Sequence, residues 1–364
     1  MSLTILGMGT AVPPHGMSQT EAVELGRLVC CQTDEQASLL RVLFRRSGVR
    51  NRNTVVPHRT ALDWVSPASN ASRGVDVVDR RGPTTFERMR LYEEHAPRLA
   101  LDAAQAALRA AAVEPAAISH LVTVSCTGFS APGVDLALIR NLGLAATVER
   151  VQVGFMGCHG AINGLRVARG LAAVDPAARV LLVAVELCSL HYCVHWDPAR
   201  MVGNAVFADG AAALVAAHDA SVADAWRVLA TGSCLLPDSA DAMTWRIGDH
   251  GFEMQLSPRV PELIGEYLRP WLTGWLDRHG VALEGVGSWA VHPGGPRIVS
   301  AVEEALGLPA GATAVSREVL AEHGNMSSPT ALFIIDRLRS RHAPRPCVAL
   351  GFGPGLMAEA ALLG

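Results

Sequence analysis

VERVQVGFMGCHGAINGLRVARGLAA, residues 148–173, decides how this chain is read. A strand-like stretch from Val148 to Val153, with valine at 148, 151 and 153, reaches the glycine-flanked segment Gly154-Phe155-Met156-Gly157-Cys158-His159-Gly160. From Ala161 the apolar positions fall at Ile162, Leu165, Val167, Ala168 and Leu171, close to helical spacing. The spacing predicts a strand, a tight turn and a helix, with Cys158 at or just inside the helix start. The first N–H groups of a helix lack internal partners, and its dipole favours an anion there. A thiolate is stabilised at such a position. Small neighbours at Gly157 and Gly160 let a carbonyl approach the sulfur. Against this stands the ordinary role of a buried cysteine as a small inert core residue.

Working outward, the 364 residues are half hydrophobic and carry a formal net charge of −3. Such a chain buries a large core, and its length suits two domains or two fused halves, read here as 1–220 and 221–364. The near-neutral charge gives no support for nucleic-acid binding. Apolar runs such as Val180–Val185 are too short to span a membrane. The N-terminal MSLTILGMGTAVPPHG has no basic residue before its apolar run and reads as a strand and turn, not a signal peptide. Eight cysteines are scattered without paired spacing, so neither a disulfide framework nor a zinc site is indicated. Unpaired cysteine suits a reducing cytoplasm. All 31 basic residues are arginine. Without lysine there is no Schiff-base chemistry, no pyridoxal phosphate attachment and no phosphate-loop lysine. Anions must be held by arginine or by backbone N–H groups.

The same pattern reading places strands at 3–9, His120–Val124, Arg179–Glu186, Ala211–Ala217, 226–233, 251–256, Ser288–Val291 and Val348–Leu350. Helices are predicted after Ser18, at 34–46, Phe86–Ala112, 134–142, 201–206, 259–279, from Pro296, and at 330–341. Residues 53–86 read as irregular, and 351–355 as a loop. Arg41, Arg45 and Arg46 near the end of helix 34–46, with Arg50 and Arg52 beyond, form either a solvated basic face or a docking patch for a phosphate-bearing carrier. Strands alternating with helices indicate an α/β architecture, with polar groups at strand C-termini, where open α/β sheets place their sites.

Three glycine-framed positions stand out: Cys158, His292 and Asn325. A thiolate attacks a thioester and holds an acyl group. An imidazole keeps the thiol ionised and polarises a carbonyl. A carboxamide adds a neutral donor for an enolate oxygen. Together they suit decarboxylative Claisen condensation. Each alone has a plainer reading, a packed core histidine or an asparagine cap.

Five segments complete the picture: Gly157-Cys158, VGNAVFADG (202–210), HPGGP (292–296), GNMSS (324–328) and GFGPGL (351–356). With them the chain resembles a bacterial type III polyketide synthase of the chalcone/stilbene synthase family, over nearly its whole length. The resemblance implies the thiolase fold, two αβαβα halves in five layers, assembled as a homodimer. It implies a nucleophile at Cys158, and His292 with Asn325 promoting decarboxylation of malonyl-CoA. Acyl-CoA and malonyl-CoA are then substrates, and no metal or redox cofactor is required. A narrow tunnel admits the pantetheine arm, and the first of two gatekeeper phenylalanines matches Phe207.

The departures from plant members are specific. The second gatekeeper position is Met254, with Phe252 two residues earlier. Cavity positions filled in plants by Thr, Thr and Gly match Cys126, His191 and Trp245. The methionine that reaches across the plant dimer falls at Ala131, and Ser327 matches a cavity serine. Among CoA-phosphate ligands, Arg46 aligns and Arg41 is adjacent. These changes argue against a chalcone-forming pocket, and the resemblance to bacterial members implies a fatty acyl starter extended to an alkylpyrone or alkylresorcinol. The alternatives are a ketoacyl-carrier-protein synthase of the same fold and a cysteine hydrolase, since Cys, His and Asn also occur in papain order.

Overall fold

The structure, a computed structural model, describes residues 2–66, 81–218 and 222–364. Its strands are β1 (Leu3–Ala11), β2 (His15–Ser18), β3 (Asn51–Thr54), β4 (His120–Ser125), β5 (Glu149–Gly154), β6 (Arg179–Leu187), β7 (Asp209–His218), β8 (Arg227–Leu235), β9 (Met243–Gly248), β10 (Gly251–Leu256), β11 (Ser288–Val291), β12 (Cys347–Gly353) and β13 (Met357–Leu363). Nine of them form one mixed sheet in the order β11-β12-β13-β8-β1-β7-β6-β4-β5. β2 with β3, and β9 with β10, form separate two-stranded ladders.

Side-chain alternation along the strands builds the layers. On β6, Val180, Leu182 and Ala184 point into one core and Leu181, Val183 and Val185 into another. A strand buried on both faces reads as an unbroken apolar run, which is what 180–185 shows. The central core joins β1, β4, β6 and β7 to β8, β12 and β13 through two helices, Gly160–Val174 and Ser328–Ser340. The opposite face of the N-terminal strands packs on helices Thr85–Ala111 and Val134–Leu142. That of the C-terminal strands packs on Val260–Asp277 and Pro296–Leu306. The result is five layers, helix–strand–helix–strand–helix, the thiolase arrangement expected from the sequence. The two strand groups meet at a short seam, where Leu3 pairs with Val228 and Thr4 with Arg227.

Some expectations need correction. β9 and helix Ala314–His323 were not anticipated. Gly351–Gly353, read as loop, continues β12. Within the stretch read as irregular lie the end of β3 and helix Thr60–Trp64; its residues 67–80, like the boundary between 220 and 221, lie outside the described residues. Among the described residues no helix is long and apolar enough to cross a membrane.

Candidate active site

The Cys158 turn forms because the chain must reverse in little space. After β5, Phe155 takes φ 59° and Gly157 φ 76°. A Cβ on Gly157 would stand 2.5 Å from Pro354 Cδ, so only glycine serves at this crossing. A 3-10 turn, Gly157–His159, then feeds helix Gly160–Val174. Cys158 therefore sits in the turn that precedes the helix, slightly earlier than the spacing suggested. It is 7% exposed. Ser327 Oγ lies 3.7 Å from its sulfur and 3.2 Å from Cys126 Sγ, linking the two cysteines through one hydroxyl.

Asn325 comes from the other half of the chain, between helices Ala314–His323 and Ser328–Ser340. Its N–H donates to Val206 O at 2.8 Å, and its carbonyl accepts from Ala208 N at 2.9 Å. This parallel bridge sets it directly beside Phe207. Its Oδ1 accepts from Ser327 N at 2.8 Å, which fixes the carboxamide and leaves Nδ2 without a hydrogen bond. His292 follows β11, and its N–H donates to Leu350 O at 2.7 Å on β12. The next residues of β12, Gly351 and Gly353, lie against His159, the neighbour of Cys158. Neither ring nitrogen of His292 has a partner. His292 and Asn325 are each 1% exposed, so three buried nitrogens hold unspent hydrogen-bonding capacity.

Burial dominates the electrostatics. It pushes the Cys158 thiol up to about 11, helped by the Glu186 carboxylate and opposed by Ser327, Asn325 and the cysteine's own N–H. It drives the His292 imidazole down to about 3, with His159 acting in the same sense. Burial thus favours the neutral form of both groups, thiol and imidazole, over the standing thiolate expected at a helix start.

A small pocket is lined by Cys126, Cys158, Phe207, Trp245, Met254 and Ser327. A second, larger pocket lies beside it and shares Cys188, Phe207, Trp245 and Met254 as a common wall. It runs past Gly294 and His191 to Met17, Ala22, Leu25, Ala61 and Trp64. Trp245, on β9, is anchored by its indole N–H on Cys126 O at 2.7 Å. Both ring nitrogens of His191 are engaged: Nε2–H donates to Thr127 O at 2.6 Å and Nδ1 accepts from Phe252 N at 2.9 Å. His292 and Asn325 line neither cavity wall, and Ala131 is exposed and lines neither.

Arg41 and Arg46 are exposed at the end of helix Asp34–Arg45. Gly48, two residues on, packs against Pro296, which sets this basic end beside the HPGGP loop. Arg52 does not join that surface; it is buried. Sequence reasoning also missed Glu186, fully buried, which accepts from Cys126 N at 2.9 Å, Thr127 N at 3.0 Å, Thr127 Oγ1 at 2.6 Å and Ser328 Oγ at 2.6 Å. It missed the hub role of Phe252, whose ring stacks on His191 at 4.2 Å and meets Phe155 and Trp245 edge-on at 5.7 Å. A glutamate ending an apolar run was the available signal for the first; nothing local marked the second.

Comparison with known proteins bears on the family and the fold. The family model described as chalcone and stilbene synthases, N-terminal domain, matches residues 2–220, and its C-terminal counterpart matches 228–364. The chain is 34% identical over 368 residues to 1,3,6,8-tetrahydroxynaphthalene synthase of Streptomyces peucetius subsp. caesius, covering 99% of this chain and 92% of that one. It is 32% identical over 366 residues to the alpha-pyrone synthesis polyketide synthase-like Pks18 of Mycobacterium tuberculosis, covering 98% and 90%. The crystal structure of PKS-I from the brown alga Ectocarpus siliculosus superposes with a TM-score of 0.90 at 31% identity, covering 100% of this chain and 98% of that one.

Proposed function

The chain belongs to the chalcone and stilbene synthase family and is a type III polyketide synthase, an acyltransferase; from that premise we propose that it extends a fatty acyl-CoA starter with malonyl-CoA and releases an alkylpyrone or alkylresorcinol. With the family settled, the carrier-protein synthase and the hydrolase fall away as alternatives. The observations that support the catalytic assignment are the three buried nitrogens of His292 and Asn325 without a hydrogen-bond partner, and the action of Asn325 on the equally buried Cys158 thiol.

Cys158 attacks the starter thioester as its proton passes to His292, and the departing CoA sulfur takes that proton back. Malonyl-CoA then enters. Asn325 Nδ2–H and one ring N–H of His292 donate to its thioester oxygen while carbon dioxide leaves and an enolate forms. The enolate carbon attacks the Cys158 thioester, Cys158 leaves as the thiolate, and the lengthened acyl-CoA can reload the cysteine. Phe207 and Met254 stand where they would exclude water from the carboxylate. Arg46 and Arg41 would meet the CoA phosphates at the basic end beside the HPGGP loop.

The choice of a fatty starter rests on the larger cavity, whose apolar lining at Met17, Ala22, Leu25 and Trp64 suits a hydrocarbon tail. Methionine at 254 yields more readily to bulk than phenylalanine. A homodimer goes with the same reading: β5 is an edge strand with most of its residues exposed, and Val151, Phe129 and Met156 are exposed apolar residues on this part of the chain.

Cys158→Ala is expected to retain malonyl-CoA decarboxylation and to give no condensation product. Asn325→Ala should lose about 100–1000-fold in decarboxylation and still load a starter. Mass spectrometry of products and of the acylated Cys158 peptide reads both. Product from Cys158→Ala would end the nucleophile assignment, and equal losses in both steps would make Asn325 structural.

A further inference from the structure

One arginine of the basic run faces inward. Arg52, on β3, is 4% exposed. Its Nη1 donates to Asn204 O at 2.7 Å and Phe207 O at 2.9 Å. Its Nη2 donates to Ala205 O at 2.6 Å and to Gln19 Oε1. These carbonyls close helix Pro198–Val206, the end where helical carbonyls lack partners and the dipole is negative. The remaining carbonyl of that segment, Val206 O, accepts from Asn325 N. A single guanidinium thus holds residues 204–207, and those residues hold the backbone of Asn325. Gln19 supports the same knot, its Nε2 donating to Ala205 O at 2.9 Å, Phe44 O at 3.1 Å and Ser47 Oγ at 2.7 Å.

We propose that Arg52 is a positioning residue for condensation: through the carbonyls of Asn204, Ala205 and Phe207 it sets where the Phe207 ring and the Asn325 carboxamide stand relative to Cys158. The proposal rests on the roles assigned above to Cys158 and Asn325. Arg52 touches no reacting atom. It acts because its planar fork reaches three carbonyls at once, which a lysine ammonium, a compact point charge, does not reproduce. A misplacement of the donor by an ångström is enough to cost about 100-fold in rate.

The test compares wild type with Arg52→Lys, Arg52→Ala and Gln19→Met. Three quantities are measured: malonyl-CoA decarboxylation kinetics, alkylation of the Cys158 peptide by iodoacetamide, and thermal unfolding. For Arg52→Lys, kcat of decarboxylation should fall by about 100-fold while KM moves by less than about threefold, and Cys158 alkylation should stay at the wild-type rate. Methylguanidinium should restore part of the decarboxylation lost in Arg52→Ala. Gln19→Met, which keeps Arg52 and removes its brace, should show a smaller loss of the same form. Wild-type kcat in Arg52→Lys overturns the proposal. So do decarboxylation and alkylation falling together with melting temperature, the mark of a cap that merely holds the fold. Should the Arg52 variants not fold, unchanged decarboxylation in Gln19→Met overturns it. A wild-type enzyme that does not decarboxylate malonyl-CoA refutes the underlying catalytic reading instead.

Discussion

His191 and Trp245 form part of the wall of the larger pocket. Both ring nitrogens of His191 are engaged, and burial, reinforced by the charges of Arg88 and Arg200, drives its pKa down to about 3. In the unfolded chain a histidine titrates near ~6.5. Between those values the native state binds fewer protons, so the stability is complete above ~6.5 and is lost as pH falls toward 3. His292 contributes in the same sense. Each costs at most about 1.4 kcal/mol per pH unit. Urea unfolding from pH 7 to pH 4 should therefore show falling stability, with a shallower slope in His191→Gln. Parallel slopes would mean that His191 is protonated in the fold. Trp245→Gly removes the indole that divides the two cavities. We expect longer acyl-CoA starters to be accepted and the product masses to rise, and a product profile unchanged from wild type would show that the indole is no barrier. Trp245 is only half-buried, so the stability cost should stay below the roughly 3–5 kcal/mol of a core tryptophan truncation.

At the scale of elements, the strand–turn–helix around Cys158 was legible, because a valine-bearing stretch and a helical pattern flank glycines whose roles are steric. The prediction that follows is sharp. Gly157→Ala forces a Cβ to within 2.5 Å of Pro354 at φ 76°. Condensation should drop by about 100-fold or more while the fold persists. Gly170→Ala, on the helix that follows, meets nothing within 4 Å and should stabilise by about 0.5–1 kcal/mol. If the two variants behave alike, the turn is not what places the sulfur. Other elements were not legible, for identifiable reasons. GFGPGL looks like a loop because its glycines mask a strand, yet Gly351 and Gly353 are the residues that let β12 lie against His159. β9 has two exposed residues among its six and no core alternation to announce it. Arg52 sat in RRSGVRNR, a run that reads as surface charge; only the fold reveals carbonyls waiting for one of its members.

Over the whole molecule, the nucleophile belongs to residues before the seam between the strand groups, and His292 and Asn325 to residues after it. The edge strand β5 directs attention to assembly. Val151 is exposed on it, in a strand whose neighbour β4 is wholly buried. Sedimentation should find the wild type as a dimer at micromolar concentration and Val151→Arg shifted toward monomer. A monomeric wild type would remove the homodimer from the reading.

The seam itself has a further consequence. Among the described residues the ladder joining the two strand groups amounts to two residue pairs, so the sheet itself does little to keep sulfur and carboxamide in register. That duty falls to the bridge between Asn325 and residues 206–208 and to side chains of helices Gly160–Val174 and Ser328–Ser340, wedged in the middle layer. Hydrostatic pressure, or a small void opened among those side chains, would let the halves slip by a fraction of an ångström. The enzyme would then fall silent while its circular dichroism still looked native.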